Sequence, residues 1–138
     1  MPRKLLLLES QAIIALDLAE RVRAMGWLPC GPYASTEEAL AGLRATEPDA
    51  ALLDLTHREA ARAEPVADAL AARGVPFIFT NSHGKSYEAV HPGAPRLDKP
   101  FTDADFQAAV TVLEASGALA RAAEGPREDE NREPPAPV

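Results

Sequence analysis

Four apolar stretches of this chain run directly into a residue able to carry chemistry. Lys4–Leu8 is followed by Glu9 and Ser10, Ala50–Leu55 holds Asp54 near its end, Val75–Phe79 runs into Thr80 and Asn81, and Pro95–Leu97 is followed by Lys99. Phosphoryl transfer suits this set. A carboxylate such as Asp54 can act as a nucleophile toward a phosphoryl group. A divalent cation, Mg²⁺ being the expected one, would offset the repulsion between phosphate and the Glu9 and Asp54 carboxylates. Lys99 supplies a compact positive charge, and the Thr80 hydroxyl can donate to a phosphoryl oxygen. The chemistry requires that these segments, far apart along the chain, reach one place.

The elements between them say how. Lys4–Leu8 and Ala50–Leu55 are continuous apolar runs, the pattern of strands covered on both faces. Residues 11–25 have helical spacing, with Ile14, Ala15, Leu18, Val22 and Met25 on one stripe and Gly26 as a stop. Leu28–Tyr33 contains Pro29 and Pro32 and belongs at a sheet edge. Ser35 and Glu38 have capping-box spacing for a helix to Thr46 that buries Ala39, Leu40 and Leu43. Pro65 can open a helix running to Arg73, with Gly74 ending it. Val75–Phe79 and the short Pro95–Leu97 read as the fourth and fifth strands, with at most a short helix within 81–94. Thr102 and Asp105 cap a last helix whose apolar face is Phe106, Ala109, Val110 and Leu113.

Strands alternating with helices imply an α/β fold with a parallel sheet covered on both faces. For five strands the expected order is 2-1-3-4-5, a doubly wound flavodoxin-like (βα)5 arrangement with its fourth helix short or irregular. All strand C-termini then share one edge, and the first and third strands flank the point where the order reverses. Glu9 and Asp54 become neighbours, and Lys99 approaches from the other side.

Composition narrows the functions. Aromatics are only 5% of the 138 residues, so the core must be aliphatic. A net charge of −7 argues against a nucleic-acid or anionic-membrane surface. Cys30 is the single cysteine, which rules out an internal disulfide or a cysteine zinc site. The three histidines, His57, His83 and His91, lack helical pairing and read as surface residues. No apolar run reaches transmembrane length and Leu5–Leu8 is too short for a signal-peptide core, so the expected location is the cytoplasm. The pattern dissolves from about Gly117. The domain is expected over 1–118, with a disordered Pro/Glu-rich tail over 119–138.

The stretches LLLLES, GPYASTEEAL, PDAALLDL, PVADALAARGVPFIF and LDKPF together resemble the response-regulator receiver domain of two-component signalling, most closely stand-alone receivers of the alpha-proteobacterial type. The resemblance spans roughly Lys4–Ser116. It implies that Asp54 is the phosphoacceptor and Lys99 the family's strand-five lysine, followed by a cis Lys99–Pro100 peptide. Glu9 matches the first residue of an acidic metal-binding pair, and the Thr56 backbone carbonyl falls where the metal is bound. The second acidic position is Ser10, a poorer Mg²⁺ ligand than a carboxylate, so the implied site is weakened. The hydroxyl position after the fourth strand aligns with Asn81, or with Thr80 after a one-residue slip, and His83 stands where this subgroup often has tyrosine. The implied partner is a histidine kinase or histidine phosphotransfer protein, docking on the first helix, where Ile13 and Leu16 lie off the buried stripe. A homodimer would use the last helix and fifth strand.

The function expected on these grounds is a phosphorelay receiver rather than an enzyme, since its product is a conformational state of the protein. Two other readings stay open: a phosphorylation-independent scaffold with the receiver fold, suggested by Ser10 and Asn81, and a small phosphatase with Asp54 as nucleophile. The phosphatase reading lacks a second aspartate two residues on, where Thr56 stands, and has no room for a cap domain.

Overall fold

The computed structural model describes residues 3–55, 62–81, 95–99 and 101–124. In chain order the elements are β1 (Lys4–Leu8), α1 (Ala12–Ala24), β2 (Leu28–Tyr33), α2 (Thr36–Thr46), β3 (Ala50–Asp54), α3 (Glu64–Ala72), β4 (Phe77–Asn81), β5 (Arg96–Asp98) and α4 (Asp103–Glu124). The strands form one sheet in the order β2-β1-β3-β4-β5, and every pairing is parallel. No helix among the described residues is long and apolar enough to cross a membrane.

The unbroken leucine run of β1 follows from this layering. Successive strand residues point to opposite faces. Leu5 and Leu7 join one core layer with Leu18 and Val22 of α1 and Phe106, Val110 and Leu113 of α4. Leu6 and Leu8 join the other with Leu43 of α2 and Val66 and Leu70 of α3. Cys30 is buried in this second layer. Both faces are covered, so neither parity of the strand could be polar. β2, at the sheet edge, carries Pro29 and Pro32, which cannot donate to a ladder. Its Gly31–Pro32 peptide is cis, and the β1 register slips between Leu6 and Leu8.

Caps behave as their residue types dictate. Ser35 Oγ accepts from the Glu38 amide at 3.2 Å, while Glu38 reaches back to the amide of Ala34 rather than Ser35. Thr102 and Asp105 form the reciprocal pair at the start of α4, at 3.0 and 3.1 Å.

Several element bounds differ from the sequence expectation. β4 begins at Phe77, not Val75, because the Val75 amide is still bonded to the Leu70 carbonyl at the end of α3. At the other end of β4, Thr80 and Asn81 pair with Leu97 and Asp98 of β5, so they lie inside the strand instead of following it. β5 is likewise one residue later, and α3 starts at Glu64, which puts Pro65 at its second position. α4 passes Gly117 and continues to Glu124, beyond the expected boundary at 118. The alanine-rich 118–124 segment has high helix propensity, and one glycine costs only about 1 kcal/mol. Within α2, Gly42 rather than Leu40 is fully buried; Leu40 packs at the rim of the second core layer. Residues expected to hold the short fourth helix, His57, His83 and His91, Pro100 with the expected cis Lys99–Pro100 bond, and the tail beyond Glu124 lie outside the described residues.

Gly42 shows how tightly β2 is held. A Cβ there would overlap the outer ring atoms of Tyr33. Replacing glycine by alanine in a helix should add about 1 kcal/mol of propensity. Overpacking costs about 1–3 kcal/mol, so the packing term wins. Gly42→Ala is expected to lower stability by about 1 kcal/mol in urea denaturation; an unchanged or raised midpoint would show that the Tyr33 ring yields freely.

Candidate functional site

The site forms where β1, β3, β4 and β5 end. Leu8 pairs with Leu53 in the β1–β3 ladder, so Glu9 and Asp54 emerge side by side. The ladder of β3 with β4 sets Thr80 opposite Asp54, and β5 ends at Asp98, immediately before Lys99. Backbone contacts fix the first residue further. The Glu9 amide donates to the Tyr33 carbonyl at 2.9 Å, and Glu9 Oε2 accepts from the Gln11 amide at 3.1 Å. The Leu55 amide donates to the Thr80 carbonyl at 2.9 Å, which holds the chain just beyond Asp54.

Lys99 lies between the two carboxylates. Its Nζ donates to Glu9 Oε1 and to Asp54 Oδ1, each at 2.8 Å. Glu9 and Asp54 are each only 2% exposed, and the Lys99 side chain is 10% exposed. Thr80, 1% exposed, points its hydroxyl at Asp54 Oδ1 across 3.5 Å, a long contact. Two buried oxygens in this region, Asp54 Oδ2 and Ser10 Oγ, have no hydrogen-bond partner among the described residues.

Two carboxylates and one ammonium share this buried space, and the titration of Glu9 and Lys99 reflects it. Burial pushes the Glu9 carboxyl above the ordinary glutamate range. The Lys99 hydrogen bond pulls it back, the Asp54 charge pushes it up again, and the net direction is upward. Burial by itself would lower the Lys99 ammonium, but hydrogen bonds and charges from Asp54 and Glu9 outweigh it, so Lys99 is held protonated above its usual range.

The sequence candidates Glu9, Asp54, Thr80 and Lys99 are thus brought together. Asn81 ends β4, paired with Asp98; its side chain, and Thr56, lie outside the described residues. The backbone groups that hold Glu9, the Tyr33 carbonyl and the Gln11 amide, were not anticipated. They belong to the main chain, and no side-chain type signals them.

A hard divalent cation requires anionic or carbonyl oxygens. The buried Asp54 carboxylate fits that need, being anionic and committing only Oδ1 to hydrogen bonds among the described residues. Each Glu9 oxygen already accepts one hydrogen bond, and Ser10 contributes a neutral hydroxyl. No group of three or more His, Cys, Asp or Glu residues placed to hold a metal occurs among the described residues. These residues fit a cation, with few anionic ligands to hold it.

Ile13 and Leu16, both on α1, are 84% and 66% exposed. They lie off the buried stripe Ala15, Leu18, Ala19 and Val22.

No family model matches the chain, and no curated protein matches it in sequence. Solved structures do. SdrG from Sphingomonas melonis Fr1 is 30% identical, with 85% of this chain and 97% of that one covered and a TM-score of 0.69. A response regulator receiver protein from Burkholderia phymatum is 27% identical over 82% of this chain and 95% of its own, with a TM-score of 0.71. The signal receiver domain of a putative LuxO repressor protein from Vibrio parahaemolyticus superposes with a TM-score of 0.75 over 91% of this chain and 100% of its own; at 19% identity it attests the fold alone. With this sheet order and with Glu9, Asp54 and Lys99 joined at its C-terminal edge, the chain belongs to the response-regulator receiver family.

Proposed function

We propose that this protein is a single-domain receiver of a phosphorelay, working in the cytoplasm, that takes a phosphoryl group on Asp54. The observation that carries the reading is the state of the Asp54 carboxylate. Oδ1 is held by Lys99, while Oδ2 is buried with no hydrogen-bond partner among the described residues. Oδ2 is the oxygen left to attack phosphorus. The new O–P bond forms as the P–N bond of a donor phosphohistidine breaks, and the bonding pair leaves with the imidazole. Lys99 stays beside the transferred group and offsets its charge, and Thr80 stands ready to donate to a phosphoryl oxygen. The modification adds about 1.5–2 negative charges, which biases any segment with two discrete arrangements. The product stays on the protein, so the chain is a signalling module and not an enzyme.

Mg²⁺ would be held by Asp54 and Glu9, with the backbone carbonyl of Thr56, and would supply further neutralisation of the phosphoryl oxygens. With Ser10 in place of an acid, it is held weakly. The donor is a histidine kinase or a histidine phosphotransfer protein, for which exposed Ile13 and Leu16 on α1 offer an apolar docking face. α4 and β5 are the surface that a homodimer would use.

Intact-mass measurement after incubation with acetyl phosphate and Mg²⁺ tests the reading. Wild type is expected to gain one phosphoryl group and Asp54→Asn none. The scaffold reading draws support from Ser10 and from the engagement of both Glu9 oxygens. It would take over if wild type stayed unmodified and Asp54→Asn still bound its partner.

A further inference from the structure

Lys99 is held in the site from its own side by very little secondary structure. β5 is three residues long and lies at the edge of the sheet, and its pairing ends at Asp98. The next fixed point is the start of α4 at Asp103. Within that short connection Phe101 is partly buried against the first core layer and stacks on fully buried Phe106, with ring centroids 5.9 Å apart and planes at 28°.

Arg21 of α1 reaches this connection from the neighbouring helix. Its guanidinium carbon lies 5.5 Å from the Phe101 ring centre and 6.0 Å from that of Phe106. Its Nε donates to Asp17 Oδ2 at 2.8 Å, and NH1 donates to Asp103 Oδ1. The Asp17 bond fixes the guanidinium against its own helix, one turn back. The aromatic and Asp103 contacts then tie both ends of the 101–103 segment to α1. Arg21 touches none of Glu9, Asp54 or Lys99 in these interactions.

We propose that Arg21 is a positioning residue for Lys99. By clamping Phe101 and Asp103 from α1, it fixes the connection that begins with the lysine and so keeps Nζ seated between Glu9 and Asp54. Lysine is a poor substitute, because a planar guanidinium can stack on a ring and donate to two carboxylates at once. The proposal deepens the phosphoacceptor reading of the same site, yet the seating of Lys99 can be read without any phosphoryl transfer.

The test is reductive methylation of the folded protein, with modification at Lys99 and Lys4 followed by peptide mass. In wild type Lys99 is expected to react slowly. In Arg21→Ala its rate should rise about fivefold, the scale set by losing a partly exposed cation–π contact with its ion pairs, while Lys4 is unchanged. Arg21→Lys should recover part of the protection. Arg23→Ala, which removes the exposed Glu20 pair on the same helix, serves as the control and should match wild type. Asp103→Asn, at a largely exposed position, should raise the Lys99 rate about twofold and decides the matter if Arg21→Ala does not fold. A Lys99 rate unchanged in both Arg21→Ala and Asp103→Asn, or raised equally by Arg23→Ala, would overturn the proposal. Acetyl phosphate labelling of wild type, run alongside, reports separately on the phosphoacceptor reading.

Discussion

Lys99→Ala is expected to destabilise the protein by about 3–5 kcal/mol near neutral pH, the range for removing one partner of a buried ion pair. Truncation leaves the buried Glu9 and Asp54 carboxylates with no neutralising ammonium. The pH dependence gives the mechanism a signature. Glu9 already titrates above the ordinary glutamate value, with Lys99 pulling it down. Without the lysine it must rise further. A carboxyl whose folded-state pKa is raised contributes stability below its unfolded pKa and loses it as pH climbs through the folded value. The deficit of Lys99→Ala should therefore be largest at neutral pH and shrink as pH falls toward about 4.5, the ordinary glutamate value. In wild type the Lys99 contribution should persist to high pH and fade only above the ordinary lysine value of 10.5. Urea denaturation of both proteins across this range checks it. A deficit independent of pH would mean that lost packing of the lysine stem, and not charge, sets the cost. Phosphoryl labelling of the variant should also fall sharply, because the transferred group would lose its nearest cation.

Ser10→Asp is expected to tighten Mg²⁺ binding at least about tenfold, since a hard cation gains an anionic ligand in place of a neutral one. Ser10 Oγ is buried with no hydrogen-bond partner among the described residues, so the new carboxylate would inherit no existing hydrogen bond. In the absence of metal it should lower stability at neutral pH by adding a third negative charge beside Glu9 and Asp54. Millimolar Mg²⁺ should restore that loss by binding the folded state alone. Calorimetric titration or backbone amide shifts are the suitable readouts. Trp27 precedes β2 at the end where Leu28 pairs with Lys4, remote from the strand C-termini, and would respond poorly. Equal Mg²⁺ affinity in wild type and Ser10→Asp would show that the residue at this position does not limit the cation.

Much of this molecule is written locally. The unbroken apolar runs of β1 and β3 specify strands buried on both faces, because a strand with a wet face would have to alternate. The Ser35 and Thr102 caps specify where two helices start. The alternation of strands and helices implies a doubly wound parallel sheet, for which five strands favour the order 2-1-3-4-5 over its common alternative, and that order, which the structure adopts, brings Glu9, Asp54 and Lys99 together. Strand and helix ends were less legible. Val75 has the side chain of a strand residue, yet its amide is committed to the end of α3, and Gly117 has too small a cost to stop an alanine-rich helix. These outcomes are competitions between backbone bonds, which residue type biases only weakly.

The sequence by itself determined the chemical inventory and the edge at which it gathers, because hydrophobic periodicity, a local property, marks the segments as strands and helices of a parallel sheet covered on both faces, whose strand C-termini share one edge. Tertiary structure alone decided which lone pairs are in use: that Lys99 takes one oxygen from each carboxylate, that Asp54 Oδ2 has no hydrogen-bond partner among the described residues, and that the Arg21 guanidinium lies over the Phe101 ring behind the lysine. Those are distances between atoms contributed by residues far apart in the chain, set by how layers pack, and no spacing along the chain encodes them.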